Sequence, residues 1–558
     1  MAPVVLRCAS RIKPDCRSPT AYFRLPFILM HRTSPKLSAL DTSLVDSLMK
    51  PAAFDHSVSS VELIETHISW LILTDDYVYK LKKPIVLDFL DFGDLEQRKF
   101  YCDEEIRLNK PWAPDIYLDV VSVSLDNGQA RFSASGTPVE YAVRMRRFDQ
   151  EMRLDAQLEQ GKLLATDMQE LARNIAARHA GAEHVEESHR DRFVSKTKEF
   201  IWDNFVALED SIDEAQLELL RTWTAAELEK LDTLLWQRFD SGFVRDCHGD
   251  LHLANLVRLP GGITTFDCIE FNADLRRIDV VCDIAFLIMD LVERQRHDLA
   301  AQFLNSYLEC TGDYAGVKLL SLYFVYRCLV RAKVAVILSQ QRETDGDVAA
   351  DLTDAHQYCD MALRQIARQN PLLVVMSGLS GSGKTWVAEQ LMVAMPAVRI
   401  RSDIERKRIV GLGELEDSAS DIGQGIYTEQ SNRDVYGRLF DLAGTILESG
   451  HNVILDAAFL SAADRADALR IAADGGNPAA ILEVRAPREI MRQRIQLRES
   501  CAEDASEAGL DVLEHQTETA EPLTDREKKL AITFDNTGEI DAVAIVSQLK
   551  AITEQQQT

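Results

Sequence analysis

The stretch Leu372-Leu-Val-Val-Met-Ser-Gly378-Leu-Ser-Gly-Ser-Gly-Lys384-Thr385 decides how the chain is read. An apolar run, Leu372–Met376, gives way to a glycine-rich turn that fits G-x-x-x-x-G-K-[ST] in every position, and a helical pattern begins at about Thr385. Strand, turn and helix in that order are the context in which the spacing has chemical meaning. Gly378, Gly381 and Gly383 let backbone N–H groups converge on phosphate oxygens with no Cβ in the way, and Leu379, Ser380 and Ser382 complete the loop. The helix N-terminus adds partial positive charge. Lys384 is spaced to reach the β- and γ-phosphates of a nucleotide, and Thr385 to hold Mg²⁺.

Downstream, the strand candidates Ala397–Ile400, Asn452–Leu455 and Ala480–Val484 alternate with helical patterns, which predicts a parallel sheet with crossover helices over residues 371–550 and a short tail at 551–558. Asp456 ends one strand, where a ligand of metal-bound water belongs. Asp403 follows another, where a carboxylate faces the crevice and could orient or deprotonate an acceptor hydroxyl; the alternative is a helix N-cap. Arg494 and Arg498, one helical turn apart, could clamp a transferring phosphate, or form a solvated basic face.

Upstream lies a second constellation, His248-Gly-Asp250-Leu-His-Leu-Ala-Asn255. Kinase catalytic loops use this H-x-D-x-x-x-x-N spacing, in which the Asp accepts the acceptor's proton and the Asn holds a metal. Twelve residues on, past the turn at Pro260-Gly261-Gly262, Asp267 stands where a second metal ligand is needed. His248 and His252 have the i, i+4 spacing of zinc ligands but lack a third ligand nearby, so His248 is expected to brace the loop. Asp279 and Asp283, at the start of an apolar helix, are expected to cap it or to brace the loop.

Before this loop, β-rich runs at His67–Leu73 and Tyr77–Leu81 flank the turn Thr74-Asp75-Asp76 and predict a hairpin; Leu95–Asn109 reads as a helix, Ile116–Val123 and Tyr141–Met145 as strands. From Gln150 to Phe239 the pattern is mainly helical. Val280–Val292 and Leu319–Leu338 are too charged for membrane spans and read as buried helices, the second interrupted by Arg327, Arg331 and Lys333, whose buried charges need partners. Residues 341–370 suit a linker with helical character, dividing a unit at 40–340 from the glycine-loop unit.

Across 558 residues, 46% hydrophobic and 27% charged composition describes a globular chain long enough for several domains. The net charge of −27 disfavours nucleic acid as a partner, because such a field repels polyphosphate. Ten cysteines without a CxxC pair suggest neither zinc nor a disulfide framework and fit a reducing cytoplasm. Residues 1–39 are basic and acid-poor up to Lys36, and read as a disordered extension, a start set too early with Met30 as the true start, or an organelle transit peptide.

Two resemblances follow from these residues. The glycine loop, Ser402-Asp403, the Arg494/Arg498 pair and Asp504-Ala-Ser-Glu507 resemble small P-loop kinases of the gluconate-kinase and zeta-toxin type, over roughly residues 371–549. The His248–Asn255 octet with Asp267 resembles the aminoglycoside-phosphotransferase and choline-kinase group, closest to a branch in which that domain is fused to a P-loop kinase. Glu65-Thr-His-Ile-Ser-Trp70, Tyr79-Lys-Leu-Lys-Lys-Pro84 and Tyr326-Arg-Cys-Leu-Val-Arg-Ala-Lys333 look like hallmarks of that branch. The resemblance implies an α+β, protein-kinase-like bilobal domain followed by an α/β P-loop NTPase domain. It implies that Lys80 meets ATP phosphates with Glu105 as its helix partner, Lys82 on the same strand face being the alternative. A G-x-G-x-x-G loop before Lys80 is absent from the sequence. The expected function is ATP- and Mg²⁺-dependent phosphorylation of small hydroxylated acceptors at two nucleotide sites. The competing readings are a nucleotide-binding regulator or scaffold with one silent module, and a nucleic-acid 5′-end kinase.

Overall fold

The computed structural model describes residues 39–554 apart from 67, 88–89, 134, 341–344, 368–369, 414–415, 417–427, 502–505 and 507. The basic leader, His67, Asp504, Ala505 and Glu507 therefore lie outside the described residues. The chain forms two compact units, one of residues 39–106 with 115–148, the other of 107–114 with 149–554.

The first unit is built on an antiparallel sheet. Helix α1 (Ala39–Leu48) precedes β1 (Glu62–Glu65), β2 (Ser69–Leu73), β3 (Tyr77–Lys82), the two-residue strands β4 (Val86–Leu87) and β5 (Leu90–Asp91), helix α2 (Leu95–Asn109), β6 (Tyr117–Asp126), β7 (Gln129–Phe132) and β8 (Pro138–Arg146). Six strands lie in the order β1-β2-β3-β8-β6-β7. Both predicted features, the hairpin across Thr74-Asp75-Asp76 and the helix Leu95–Asn109, are present. The β6–β7 turn places Asn127 and Gly128 at φ 51° and 79°, the left-handed pair that suits the right-handed twist of a hairpin. Alternation along β3 sends Tyr79 and Leu81 into the core with Trp70, Ile72 and Phe132, and Lys80 and Lys82 to the other face.

The second unit opens with helices α3 (Leu154–Glu159), α4 (Ala165–Gly181), α5 (Arg190–Leu208) and α6 (Glu214–Asp240). The short strands β9 (Val244–Asp246), β10 (Leu256–Leu259), β11 (Gly262–Thr265) and β12 (Arg277–Asp279) follow, forming two small antiparallel ribbons. Helices α7 (Val280–Glu293), α8 (His297–Thr311) and α9 (Val317–Ser339) come next, α7 and α9 buried along most of their length as their sequences predict. Helix α10 (Asp345–Ile366), read from sequence as part of a linker, instead packs Ala355, Tyr358, Cys359, Met361 and Ala362 into the helical core. Its apolar stripe is diluted by exposed acids, which is why it reads as a connector.

The remaining elements form a five-stranded sheet whose strands all run parallel, in the order β14-β15-β13-β16-β17. They are β13 (Leu373–Ser377), α11 (Lys384–Ala394), β14 (Ala397–Arg401), α12 (Ser402–Ile409), α13 (Glu429–Glu448), β15 (Asn452–Asp456), α14 (Ala462–Asp474), β16 (Ala479–Arg485), α15 (Arg488–Cys501), α16 (Leu510–Thr519), β17 (Ala531–Asp535) and α17 (Ala542–Glu554). The edge strand β17 has only partly buried side chains and escapes sequence reading. Both faces of the sheet are covered, as a parallel sheet requires. Leu373, Val375, Val398, Ile400, Val453 and Leu455 pack on one face, and Val374, Met376, Ile454, Ala480 and Leu482 on the other. Leu308, Tyr314 and Val317, from α8 and the approach to α9, belong to the first of these cores, and Ala301 of α8 to the second. Among the described residues no helix is long and apolar enough to cross a membrane.

Candidate active sites

In the first unit, Glu105 of α2 is fully buried between two lysines of β3. One carboxylate oxygen lies 2.9 Å from Lys80 Nζ and the other 2.8 Å from Lys82 Nζ. Burial opposes ionisation of Glu105, but the two ammonium groups outweigh it and hold the carboxyl well below its ordinary range. Lys82 is wholly buried and sits over the Phe92 ring at 5.1 Å, whereas Lys80 keeps 4% exposure. Both lysines are buried, and either satisfies the expected ion pair.

In the second unit, the segment from Asp246 to Asn255 folds as an irregular loop between β9 and β10, and its backbone groups are met by buried side chains. Asp283, in the first turn of α7, accepts from Gly249 N–H at 2.8 Å and His248 N–H at 3.2 Å, and lies 3.1 Å from His179 Nε2. Asp290, two turns on, accepts from Leu253 N–H at 2.9 Å. Gly249, at φ 81°, fits only without a side chain, because a Cβ would lie 2.8 Å from Leu275 O. Asp279 caps α7 through Val281 N–H and pairs with Arg238, so both acids do what the sequence predicts of them.

His248 donates from Nε2 to Phe266 O at 2.9 Å and accepts at Nδ1 from Asp250 N–H at 3.3 Å. Burial lowers its pKa below the ordinary imidazole value, and both ring nitrogens are engaged within the loop, as a brace requires. Asp250 Oδ2 is 3.0 Å from His252 Nε2 and accepts from Asn255 Nδ2 at 2.5 Å. Burial works against its charge, yet His252 and His248 prevail, so its pKa falls below the usual carboxylate value and it stays ionised. Asp267 is brought to this loop by backbone pairing on both sides: Phe266 N–H donates to Asn255 O at 3.0 Å and Ile269 N–H to His248 O at 3.2 Å. Asp267 itself has φ 62°, a conformation uncommon outside glycine and frequent at functional positions. Arg327, whose partner the sequence leaves open, donates to Cys282 O at 3.2 Å and stacks on Phe286 at 4.7 Å.

The glycine loop links β13 to α11. Gly378, Gly381 and Gly383 have φ 152°, 77° and 91°. A Cβ would lie 2.4 Å from Val484 O at Gly378, 2.6 Å from Met491 O at Gly381 and 2.2 Å from Asn536 Nδ2 at Gly383. All three glycines are thus demanded by backbone shape and by close neighbours. Lys384 Nζ donates to Gly378 O at 2.8 Å and Leu379 O at 3.0 Å, folded back over the loop. Burial brings its pKa down to about 8, against the opposing pull of Asp456 and Asp403. Thr385 Oγ1 donates to Asp456 Oδ1 at 3.4 Å, while Asp456 Oδ2 is buried without a hydrogen-bond partner. Burial raises the Asp456 pKa, with Arg399, Arg401 and Lys384 opposing it. A buried carboxylate with one oxygen free beside the loop hydroxyl is what a divalent cation fits, and Thr385 with Asp456 would hold it.

The other predicted residues divide. Asp403 lies in the first turn of α12, whose N-cap is Arg401, so the capping alternative does not hold. Arg494 donates to Ser382 O at 3.0 Å and Asn536 O at 3.1 Å, and Arg498 donates to Ala508 O. Arg494 therefore ties the loop to the residue that follows β17. Asn536, which donates to Ser382 O at 2.9 Å, and Gln516, whose Oε1 accepts from Ser380 N–H at 2.7 Å, were not found from sequence. Each lies over a hundred residues from the loop in a stretch with no motif of its own.

Residues 143–320 match the model of the phosphotransferase enzyme family, and residues 373–523 match that of an AAA domain. Uncharacterized proteins of Mycobacterium tuberculosis and Mycobacterium bovis are each 29% identical over 452 residues, spanning 80% of this chain and 88% of theirs. Among solved structures, an ethanolamine kinase of Plasmodium vivax aligns over 55% of this chain and 85% of its own, at 12% identity and TM-score 0.35. A gluconokinase of Sinorhizobium meliloti aligns over 34% and 98%, at 19% identity and TM-score 0.25. The two family matches identify a phosphotransferase-family, kinase-like domain followed by a P-loop kinase-type domain in one chain, which is accordingly a kinase or phosphotransferase.

Proposed function

We propose that the chain holds two ATP sites, each transferring a γ-phosphoryl group to a small hydroxylated acceptor. At the first, Lys80, held by Glu105, orients the ATP phosphates and Asp250 aligns the acceptor hydroxyl. The acceptor oxygen forms its bond to the γ-phosphorus as the bond to the β,γ-bridging oxygen breaks. ADP leaves, and the acceptor's proton passes to Asp250. Asn255 and Asp267 would hold Mg²⁺ there. At the second, Lys384 and the glycine loop of residues 378–383 bind nucleotide, Asp403 meets the acceptor, and Thr385 with Asp456 would hold Mg²⁺. When bound, the ion neutralises phosphate charge; the residues contribute alignment and a site already charged for its ligand.

The observation that carries this reading is the buried Asp456 carboxylate, one oxygen shared with Thr385 and the other free, beside the lysine of an intact glycine loop. The family match supports phosphoryl transfer without naming an acceptor, and the net charge of −27 weighs against nucleic acid. Mg²⁺-dependent ATP consumption against pooled sugars, polyols and aminoglycosides tests it, with wild type beside Asp250→Ala, Lys384→Ala and the double variant. Acceptor-stimulated turnover that disappears in one single variant assigns that acceptor to that site. ATP binding with no stimulation in any pool would favour the regulatory reading.

A further inference from the structure

We infer that helix α8 positions both nucleotide sites, with Asn305 and Glu309 as its positioning residues toward the P-loop site, so that nucleotide bound at one site changes affinity at the other. The inference rests on the two-site reading above.

Toward the sheet, the Asn305 amide pairs with the open edge of β14. Its Nδ2 donates to Ala397 O at 2.9 Å and its Oδ1 accepts from Arg399 N–H at 2.6 Å, the pattern a neighbouring strand would make. Glu309, one turn later on the same helix face, accepts from Arg399 Nη2 at 2.8 Å and Nε at 3.2 Å. Arg399 is the guanidinium that most offsets the burial of Asp456. Strand β14 pairs with β15 up to Arg401 opposite Asp456, and runs directly into Asp403. The Glu309 carbonyl also accepts from Arg408 of α12, which Glu405 holds at 2.9 Å. The last turns of α8 therefore seat the strand and helix that carry Asp403 and border Asp456.

Tyr307 lies between these residues in sequence and about 200° from Asn305 around the helix, on the far face. Its hydroxyl meets His179 Nδ1 at 2.8 Å, His179 Nε2 meets Asp283 at 3.1 Å, and Asp283 holds the amides of His248 and Gly249 next to Asp250. Asn305, Tyr307 and Glu309 are 1%, 1% and 8% exposed. A helix fixed on both faces by buried hydrogen bonds cannot slide relative to one site without leaving polar groups unsatisfied or displacing the other. A shift of α8 favoured by nucleotide at one end is thus felt at the other, and by linkage the effect is reciprocal.

The test is calorimetric titration of the full chain with Mg²⁺ and a non-hydrolysable ATP analogue. Lys384→Ala and Asp267→Ala supply the two single-site isotherms. Coupling predicts that the wild-type isotherm departs from their sum by at least a threefold change in the second affinity. Glu309→Gln and, on the far face, Tyr307→Phe should each bind two nucleotides and return the isotherm to the sum. A wild-type isotherm equal to the sum overturns the coupling and leaves the two-site reading intact. One nucleotide per wild-type chain overturns the two-site reading and the coupling with it. Coupling that survives in both Glu309→Gln and Tyr307→Phe removes α8 from it.

Discussion

Asp283 offers the most quantitative check on how the Asp250 loop is held. Its carboxylate is fully buried and meets three donors: Gly249 N–H and His248 N–H at 2.8 and 3.2 Å, and His179 Nε2 at 3.1 Å. A buried donor left unsatisfied costs about 1–3 kcal/mol. Asp283→Ala orphans all three, and with partial relaxation the loss should be about 3–6 kcal/mol. Asp283→Asn keeps an oxygen at one position; since Oδ2 serves two of the donors, the cheaper amide orientation loses only the Gly249 contact, for about 1–3 kcal/mol. The pH dependence has a definite sign. Burial resists ionisation of Asp283, but His179 and His248 prevail and its folded pKa lies below the usual value. The unfolded chain then takes up this proton first on acidification. The carboxylate's contribution is complete above about pH 5 and is lost as pH falls through the folded value. Urea titrations of wild type, Asp283→Ala and Asp283→Asn between pH 3 and 7 measure both effects, and the Asn variant should lose stability less steeply than wild type below pH 5. Asp250-dependent ATP turnover should fall in both variants, further in Ala. An Asp283→Ala protein within about 1 kcal/mol of wild type, or equal losses for Ala and Asn, would refute the counting of donors.

Other outcomes follow from the same geometry. Lys80→Met should abolish turnover at the first site and, by leaving the buried Glu105 one lysine short, cost about 1–3 kcal/mol in thermal or urea unfolding. Lys82→Met should cost a similar amount while sparing turnover, and loss of turnover in Lys82→Met alone would make Lys82 the nucleotide lysine. Gly383→Ala should weaken analogue binding at the P-loop site at least about 100-fold by calorimetry, because its Cβ would meet Asn536 at 2.2 Å on a backbone with φ 91°. Arg494→Ala should weaken ADP and ATP analogues equally, since it holds a loop carbonyl; a fall in kcat at unchanged affinity would favour the phosphate-clamp reading. Burial lowers the Lys333 ammonium to about 8, with Asp203 only partly opposing it. Because the unfolded chain keeps that proton up to about pH 10.4, Lys333→Met should gain roughly 1–3 kcal/mol at pH 7, a gain that fades as pH approaches 10.

What the sequence revealed depended on whether the deciding contacts were local. The glycine loop, the Asp250 octet and the acids at strand ends are set by spacing along a few residues, and each lands on the element its pattern requires. Asp456 ends β15 and Asp403 stands two residues past the end of β14, in the first turn of α12, because a strand run followed by an acid is itself the local signal. Arg494 shows the limit of such reasoning. Its one-turn spacing from Arg498 correctly put both on one helix face, but whether that face turns toward phosphate or toward loop carbonyls depends on Ser382 and Asn536, over a hundred and about forty residues away. Lys80 and Lys82 pose the same problem on a strand: a period of two guarantees a shared face and cannot rank them, and both side chains are buried against Glu105.

Helix α8 was the least legible element, and for an instructive reason. Asn305, Tyr307 and Glu309 form no motif, because each answers to a different partner: a strand edge, a histidine and an arginine. Polar residues two apart on a helix point to opposite sides, and no periodic pattern in the sequence links them. A helix buried on both sides turns the same spacing into a bridge. That inversion is why a chain that reads as two modules joined by a tether folds with Leu308, Tyr314 and Val317 inside the core of the parallel sheet. If the tether at 345–366 were what joined the two parts, shortening it would be tolerated and Asn305→Ala would be silent. With the shared core as the joint, Asn305→Ala should strip the edge of β14 of two hydrogen bonds and lower the thermal midpoint of the second unit.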